Sequence, residues 1–179
     1  RGYHEAISYS FIDARLAQLF DPQTNTIELG NPISSDMSVM RSSLWPGLVQ
    51  AMQYNEARQR SRIRLFESGL VFYEQEGEWH HHKKLGGLVT GGAYKEQWGQ
   101  AQRPVDFFDV KADVTALLAL GNHAKDVEWR EATHPALHPG QAAGIYKNGE
   151  CIGYLGALHP QLSQQMAITQ AVFLYEINW

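Results

Sequence analysis

The sequence predicts an α+β fold whose sheet is largely antiparallel. Several short segments alternate polar and apolar residues with the two-residue period of a strand, and others carry apolar residues at helical spacing. The run GIYKNGECIGYLG contains Asn148-Gly149, which favours the tight turn of a β-hairpin because both residues tolerate positive φ. The links between predicted strands are too short for repeated parallel crossovers. We therefore expect about seven strands and about four helices.

The composition is that of one ordinary globular domain. With 179 residues, 44% hydrophobic and 19% charged, the chain can form a substantial core and lies far from the disordered range. The net charge of -4 means that any contact with nucleic acid must be local. The single Cys151 excludes an internal disulfide and suits a cytoplasmic location. Because both ends lie in or near strand-like sequence, we expect one domain, residues 1–179, excised from a larger polypeptide.

The first thirty residues predict a strand, a short helix and a second strand. Residues 5–11 alternate in polarity, which indicates a half-buried strand. Asp13 is placed to cap a helix over residues 14–20, which Asp21-Pro22 ends. A brief strand at residues 26–29 then leads into turn-forming residues.

The chain is organised around a predicted amphipathic helix over residues 44–58. Ser42 or Ser43 can accept a hydrogen bond from one of its first amides, and Pro46 is tolerated in its first turn. The apolar stripe that we expect to be buried consists of Leu44, Leu48, Ala51 and Met52.

Four arginines alternate with other residues after this helix. They share one face of a predicted strand that carries Ile63 and Leu65 on its other face. They could neutralise RNA phosphates or pair with acidic groups of a partner, or they could form a solvated strand edge. The residues alone leave these interpretations open for Arg58, Arg60, Arg62 and Arg64.

The next segment predicts two strands around a loop. Gly69 interrupts the first strand and indicates a bulge or bend, and the strand resumes at residues 70–73. A polar loop is expected at residues 75–84 and a further strand at 84–90. The pairs Gly86-Gly87 and Gly91-Gly92 are interpreted as strand-end turns rather than a nucleotide-binding loop.

The second half of the chain predicts two helices and four strands. A helix over residues 107–120 ends at Gly121-Asn122. A strand at 127–131 precedes the Asn148-Gly149 hairpin. A short helix from Pro160 to about residue 166 and a strand at 171–178 complete the chain. The buried stripe expected for the first helix is Val110, Val114, Leu117 and Leu118.

Candidate metal ligands have simpler explanations. Consecutive residues of a strand point to alternate sides, so at most two of the three residues His80-His81-His82 can converge. Asp109 and Asp113 lie one turn apart and could hold magnesium through water, but acidic residues near a helix start more commonly oppose its dipole. The sequence also lacks a nucleophile elbow, a GxxxxGK[ST] loop and a CxxC pair. We therefore predict no catalytic, cofactor-binding or metal-binding residues.

Motifs spread over nearly the whole chain carry a family resemblance. They are NPIS, MRSSLWPGL, Tyr54-Asn55 with Arg58, RLFESGLVF, GYHEAISYSF, VDFFDVKAD, ALHPGQAA, IGYLGALHP and FLYEINW. Together these motifs make the chain resemble the catalytic-like module of the bacterial phenylalanyl-tRNA synthetase beta subunit. The resemblance implies the sheet-and-helix core of class II aminoacyl-tRNA synthetases.

The resemblance also implies a module without chemistry of its own. Active class II synthetases supply two arginines to the nucleotide, because positive charge must lie where phosphate charge develops. Here the comparable second-motif strand carries Tyr73 and Glu74, and the helix after the comparable glycine-rich strand has no Arg or Lys. ATP, magnesium and phenylalanine are accordingly expected on an alpha subunit, with which this module would pack in a heterotetramer.

The expected role is that of a scaffold and subunit interface, and contact with tRNA is left open. Trp45 and Val49 lie off the main apolar stripe of their helix and are our candidates for subunit packing. Two alternatives come from other classes: a domain that retains ATP-dependent ligase activity, and an autonomous tRNA-binding module.

Overall fold

A computed structural model describes residues 1–120 and 126–178. These residues form nine strands, four α-helices and a 3-10 turn at Ser35–Met37. The helices are α1 (Ala14–Phe20), α2 (Trp45–Glu56), α3 (Phe107–Leu120) and α4 (Pro160–Gln165). The strands are β1 (His4–Glu5), β2 (Phe11–Ile12), β3 (Val39–Met40), β4 (Ile63–Gln75), β5 (Glu78–Thr90), β6 (Val127–Glu131), β7 (Leu137–Lys147), β8 (Glu150–Leu158) and β9 (Val172–Asn178).

Seven strands form one sheet in the order β1-β4-β5-β9-β8-β7-β6, and β2 pairs with β3 in a small second sheet. In the described residues β1 runs parallel to β4, and the other five neighbouring pairs of the large sheet are antiparallel. The predicted α+β class is confirmed, with a sheet that is mixed only at the β1 edge.

Helices cover both faces of the large sheet. Neighbouring residues on a strand point to opposite faces. On β5, Leu88 belongs to the core cluster beneath α2, whereas Val89 belongs to the cluster beneath α3. We call these two sides the α2 face and the α3 face. No helix in the described part of the chain is both long and apolar enough to cross a membrane.

The α2 helix is buried more completely than its stripe predicts. Trp45 is 1% exposed and Val49 0% exposed, so the expectation that these two side chains offer a surface to a partner is wrong for this structure. The reason is that α1 and α4 contribute Leu16, Phe20 and Leu162 to the same cluster as α2, so the helix is enclosed on several sides. The Trp45 indole N–H donates to the carbonyl of Tyr175 at 3.0 Å.

The start of α2 is otherwise as expected. The hydroxyl of Ser43 accepts a hydrogen bond from the amide of Trp45 at 3.1 Å, and Pro46 lies in the first turn. The helix ends at Glu56, two residues before the predicted end, because Gln59 takes a φ of 62° and turns the chain.

The predicted loop at residues 75–84 is wrong. β4 and β5 form one hairpin of thirteen residue pairs, from Ile63 opposite Thr90 to Gln75 opposite Glu78. Its turn consists of Glu76 and Gly77, with φ of 55° and 82°, which is the left-handed geometry of a tight hairpin turn. Residues 75–84 are mostly polar because this end of the hairpin is largely exposed, so they lack the apolar alternation that indicates a strand.

The glycines of this hairpin serve close packing rather than bends. The register of β4 with β5 runs unbroken through Gly69, so the predicted bulge is also wrong. A side chain at Gly69 would meet the guanidinium of Arg41 and the side chain of Leu44. Gly86 and Gly87 lie within β5 rather than at its end, beneath Leu44 on one face and beneath the Tyr175 ring on the other.

The remaining elements follow the prediction closely, with two exceptions. Asp13 caps α1 by accepting from the amide of Leu16 at 3.0 Å, α3 and β6 have the predicted bounds, and Asn148-Gly149 turns the β7–β8 hairpin. The predicted strand at 5–11 is split into β1 and β2, and residues 26–29 contribute only a bridge from Glu28 to Val39. The predicted helix stop at 121–122 lies outside the described residues.

Candidate functional site

The four alternating arginines do not share one strand face. β4 begins only at Ile63, so Arg58 and Arg60 lie in the exposed turn after α2. The guanidinium of Arg58 stacks on the Tyr54 ring, 3.3 Å from its centroid. Arg62 and Arg64 are brought together on the α3 face, and the chemistry of this part of the domain centres on them.

Arg64 is buried in an ion pair. Its guanidinium donates to the Asp113 carboxylate at 2.7 Å and to the Ala93 carbonyl at 3.1 Å, and its side chain is 6% exposed. Asp113 also accepts from Arg1 and from the Tyr3 hydroxyl. The Arg64 Nε has no hydrogen-bond partner among the described residues. Arg64 is therefore not available as a surface contact, and it joins the start of β4 to α3.

Arg62 holds the loop that follows β5. Its guanidinium donates to the carbonyl of Gly92 at 3.2 Å and approaches that of Ala93 at 3.5 Å. Burial, and after it the nearby charge of Arg64, lower the pKa of Arg62. The positive charge of Arg62 thus lies close to that of Arg64, and the Arg62 guanidinium donates its hydrogen bonds to neutral carbonyl groups.

Arg103 lies at the other side of this loop. It forms a bidentate pair with Asp109, with both N···O distances at 2.6 Å, and lies 3.5 Å from Asp106. Hydrogen bonding to Arg103 lowers the pKa of Asp109. The Asp106 carboxylate also accepts from the amide of Asp109 at 2.9 Å, so Asp106 caps the first turn of α3. The carboxylates at this helix start therefore serve capping and ion pairing, the simpler of the two sequence interpretations.

These groups line an open cavity of about 570 Å³, which we call the basic pocket. It lies among the N-terminal segment, the start of β4, the loop of residues 91–104 and the first turns of α3. Exposed rings of Tyr94 and Phe108 lie at its walls. Its charged lining residues are Arg1, Arg62, Arg64, Lys95, Arg103, Asp106, Asp109 and Asp113. Five cations against three carboxylates leave this region positive in a chain whose net charge is -4.

A second cavity on the α3 face is apolar. This groove of about 620 Å³ lies between α3 and strands β4, β5 and β9, with Phe66, Leu85 and Leu117 among its lining residues. Tyr3 and Tyr175 also line it, and burial raises the pKa of both hydroxyls, which therefore stay protonated. Arg1 and Lys83 provide its cationic groups.

The positions that the resemblance compares with cation-bearing motifs carry no cations in this structure. Glu74 accepts from the Asn25 side chain and from the amide of Gly77, and the Tyr73 hydroxyl lies 2.6 Å from Nε2 of His82. α4, with the sequence PQLSQQ, contains no basic residue. Within residues 1–120 and 126–178, no three His, Cys, Asp or Glu side chains converge as metal ligands would.

Sequence reasoning missed two buried ionic clusters on the α2 face. Glu176, 7% exposed, accepts from the Leu44 amide and from the ammonium of Lys84, both at 2.7 Å. Arg41 pairs with Glu67 at 2.7 Å, and both side chains are about 5% exposed or less. The sequence analysis placed Glu176 in the last strand and Glu67 in an interruption of an earlier one, and only the fold brings their partners from distant segments.

Comparison with known proteins agrees with the motif resemblance. All 179 residues match the family model described as the phenylalanyl tRNA synthetase beta chain CLM domain. The chain is 51% identical over 178 residues to the phenylalanine-tRNA ligase beta subunit of Coxiella burnetii, covering 99% of this chain and 22% of that protein. It is 51% identical to that of Pseudomonas putida and 49% identical to that of Nitrosococcus oceani, with similar coverage. The chain thus spans about a fifth of the length of these relatives.

Proposed function

The chain belongs to the phenylalanyl tRNA synthetase beta chain CLM domain family, and from this premise we propose that it is a non-catalytic module of phenylalanine-tRNA ligase. In this proposal it is a scaffold and interface for the catalytic alpha subunit. Its fold is that of a class II synthetase core, and the assembly is a cytoplasmic heterotetramer. ATP, magnesium and phenylalanine bind on the alpha subunit, where tRNA is charged.

The observation that carries the proposal is the absence of cations where phosphate charge would develop. Glu74 stands where a cation would be useful, and its carboxylate is held in place by Asn25 and the Gly77 amide. A carboxylate there would repel a nucleotide, because preorganised positive charge is the largest contribution to nucleotidyl transfer. The short α4 supplies no compensating charge.

The basic pocket does not repair this deficit. Arg1 and Arg64 are paired with Asp113, and Arg103 is paired with Asp109. Most of its positive charge is therefore balanced within the domain. Two cations, Arg62 and Lys95, are left for an external anion. Their two positive charges are too few to balance the charge of a nucleoside triphosphate.

We place the subunit interface at the β1 edge of the sheet rather than on α2. β1 pairs only with β4 in the described residues, so its outer edge is open. Ile7 and Tyr9, which follow β1, are 91% and 69% exposed. Large apolar side chains beside an open strand edge fit a protein partner better than they fit water.

Co-expression with a matching alpha subunit tests this interface. We expect the unaltered chain to co-purify with the alpha subunit and the variant I7D/Y9D to lose it. Trp79→Asp is the control, since Trp79 is 73% exposed at the tip of the β4–β5 hairpin and should retain association. Failure of the unaltered chain to associate would contradict the scaffold role, whereas association by I7D/Y9D would contradict only the placement of the interface.

A further inference from the structure

Two cations of the basic pocket have no carboxylate partner. In the part of the chain that the structure describes, no acidic group lies within ion-pair distance of Arg62 or Lys95. Both converge on Gly2, whose φ is 77°. A Cβ at Gly2 would lie 3.6 Å from a terminal nitrogen of Arg62 and 4.0 Å from the Cε of Lys95. A small space beside two cations is therefore open at this point.

The carboxylates of the pocket cannot neutralise these cations. Asp113 is held by Arg1, Arg64 and Tyr3, and Asp109 is held by both terminal nitrogens of Arg103. The third carboxylate, Asp106, lies 3.5 Å from Arg103 and accepts from the Asp109 amide. Each acid is thus already paired with an arginine other than Arg62. The field that the pocket presents to solvent near Arg62 and Lys95 is positive, and it attracts anions to this part of an otherwise acidic chain.

Arg64 adds a buried positive charge at the wall of the pocket. Arg64 lines the pocket at 6% exposure, and its Nε lacks an acceptor within the described residues. Buried donors in native proteins nearly always have an acceptor. A nearby anion would relieve the crowding of Arg62 against Arg64, which helps to lower the pKa of Arg62.

Exposed aromatic rings lie on the segments that form the pocket. Trp98 lies in the loop of residues 91–104 and is fully exposed, and Phe108 is 72% exposed at the start of α3. Tyr94 lies under the guanidinium of Arg103, which is 5.3 Å from its ring centroid. Positive groups interleaved with exposed rings are typical of surfaces that hold RNA, because phosphates pair with the cations and bases stack on the rings.

We propose that the basic pocket and the exposed Trp98 form a contact site for RNA, with a phosphate between Arg62 and Lys95 and an unpaired base on Trp98. The inference rests on the proposed function, according to which the RNA that binds here is tRNA. An acidic segment of a protein partner could also pair with the cations, but it would gain little from a lone, fully exposed indole. RNA uses both features.

The test measures binding of a phenylalanine tRNA transcript to the complex of this chain with its alpha subunit, at salt concentrations from about 50 to about 200 mM. For R62A/K95A we expect affinity to fall about tenfold, and the slope of log affinity against log salt to become shallower by about 1.4 to 1.8. The control R15A/R130A removes two exposed arginines that lie outside the pocket, so it changes the net charge by the same amount. Its affinity and slope should change far less than those of R62A/K95A.

Two further variants separate RNA contact from folding and from protein contact. Lys95→Ala breaks no hydrogen bond to the described residues and should still make the slope shallower by about 0.7 to 0.9. Trp98→Ala should weaken binding at least about fivefold with the slope unchanged, because stacking releases no counterions. Unchanged affinity in both variants would overturn the proposal and leave the scaffold role intact. Loss of subunit association with unchanged tRNA binding would also overturn it and would assign the surface to a protein.

Discussion

The two faces of the large sheet are built for different purposes. On the α2 face, Leu44, Trp45, Leu48 and Val49 are all 1% exposed or less, and the charged groups Arg41, Glu67 and Glu176 are each 7% exposed or less. On the α3 face, Leu117 and Leu118 are only partly covered, and two cavities open to solvent. The difference shows that one face of a sheet can provide most of the buried core while the other face keeps cavities that a ligand or partner can enter.

Two adjacent glycines illustrate how β5 serves both faces. Gly86 lets α2 approach so closely that a Cβ there would lie 3.1 Å from Leu44. Gly87 lets the Tyr175 ring pack directly against the strand on the other side, where a Cβ would meet the ring. Close helix packing on one face produces a dense core, whereas a large ring on the other face leaves space beside it for the apolar groove.

The largest effect should come from the core of the α2 face. Trp45→Ala leaves a large cavity and removes the bond to the Tyr175 carbonyl, so we expect the free energy of unfolding to fall by about 4 to 5 kcal/mol. Denaturant unfolding measures this loss. Gln50→Ala, on the exposed side of the same helix, is the control and should change stability by less than about 0.5 kcal/mol. A small loss for Trp45→Ala would show that this face is not the stable one.

A smaller loss is expected from the buried ion pair of the α3 face. Asp113→Ala leaves Arg64 without its carboxylate and should cost about 3 kcal/mol, near the low end for buried pairs because the adjacent pocket admits water. The double variant R64M/D113L removes both charges and should lose less than Asp113→Ala. If the double variant lost as much, the cost would come from packing and not from the unpaired charge.

The smallest effect concerns His134 and pH. This ring packs edge-on against Trp45 at 4.9 Å, its Nδ1 accepts from the Ala136 amide, and burial lowers its pKa. The native state therefore excludes a proton that the unfolded chain takes up below about pH 6.5. Stability from neutral His134 is complete above that pH and is lost as the pH falls below it.

Comparison with a variant isolates this contribution. His134→Asn keeps an acceptor for the Ala136 amide but does not titrate. We expect the stability difference between the two proteins, measured by denaturant unfolding, to shrink as the pH falls from about 7 to about 5. A constant difference would mean that protonation of His134 is not linked to unfolding.

Local signals predicted the elements whose partners are near in sequence. Asp13 capping α1, Pro46 in the first turn of α2 and Asn148-Gly149 between β7 and β8 act over a few residues, and all three are confirmed. The β4–β5 hairpin was missed because its turn is Glu76-Gly77, in which a glutamate takes the left-handed conformation that asparagine usually takes.

The candidate site was harder to predict because its contacts are long-range. The pairing of Arg64 with Asp113 spans 49 residues and that of Glu176 with Leu44 spans 132, so neither has a sequence pattern. Trp45 and Val49 were expected to face a partner because a single apolar stripe was assumed to mark the whole buried side of the helix. That assumption holds for a helix covered from one side, whereas α2 is enclosed by the sheet, α1 and α4. The basic pocket could have been suspected only from the cations and rings of residues 91–104 read together.

The central claim is that this module does no adenylation of its own, and pyrophosphate exchange tests it most directly. The purified chain would be incubated with ATP, magnesium, phenylalanine and labelled pyrophosphate, beside the complex with its alpha subunit and a mock purification from cells lacking the chain. We predict phenylalanine-dependent exchange by the complex and none above the mock level by the chain alone. Exchange that rises in proportion to the concentration of the chain alone would contradict the claim.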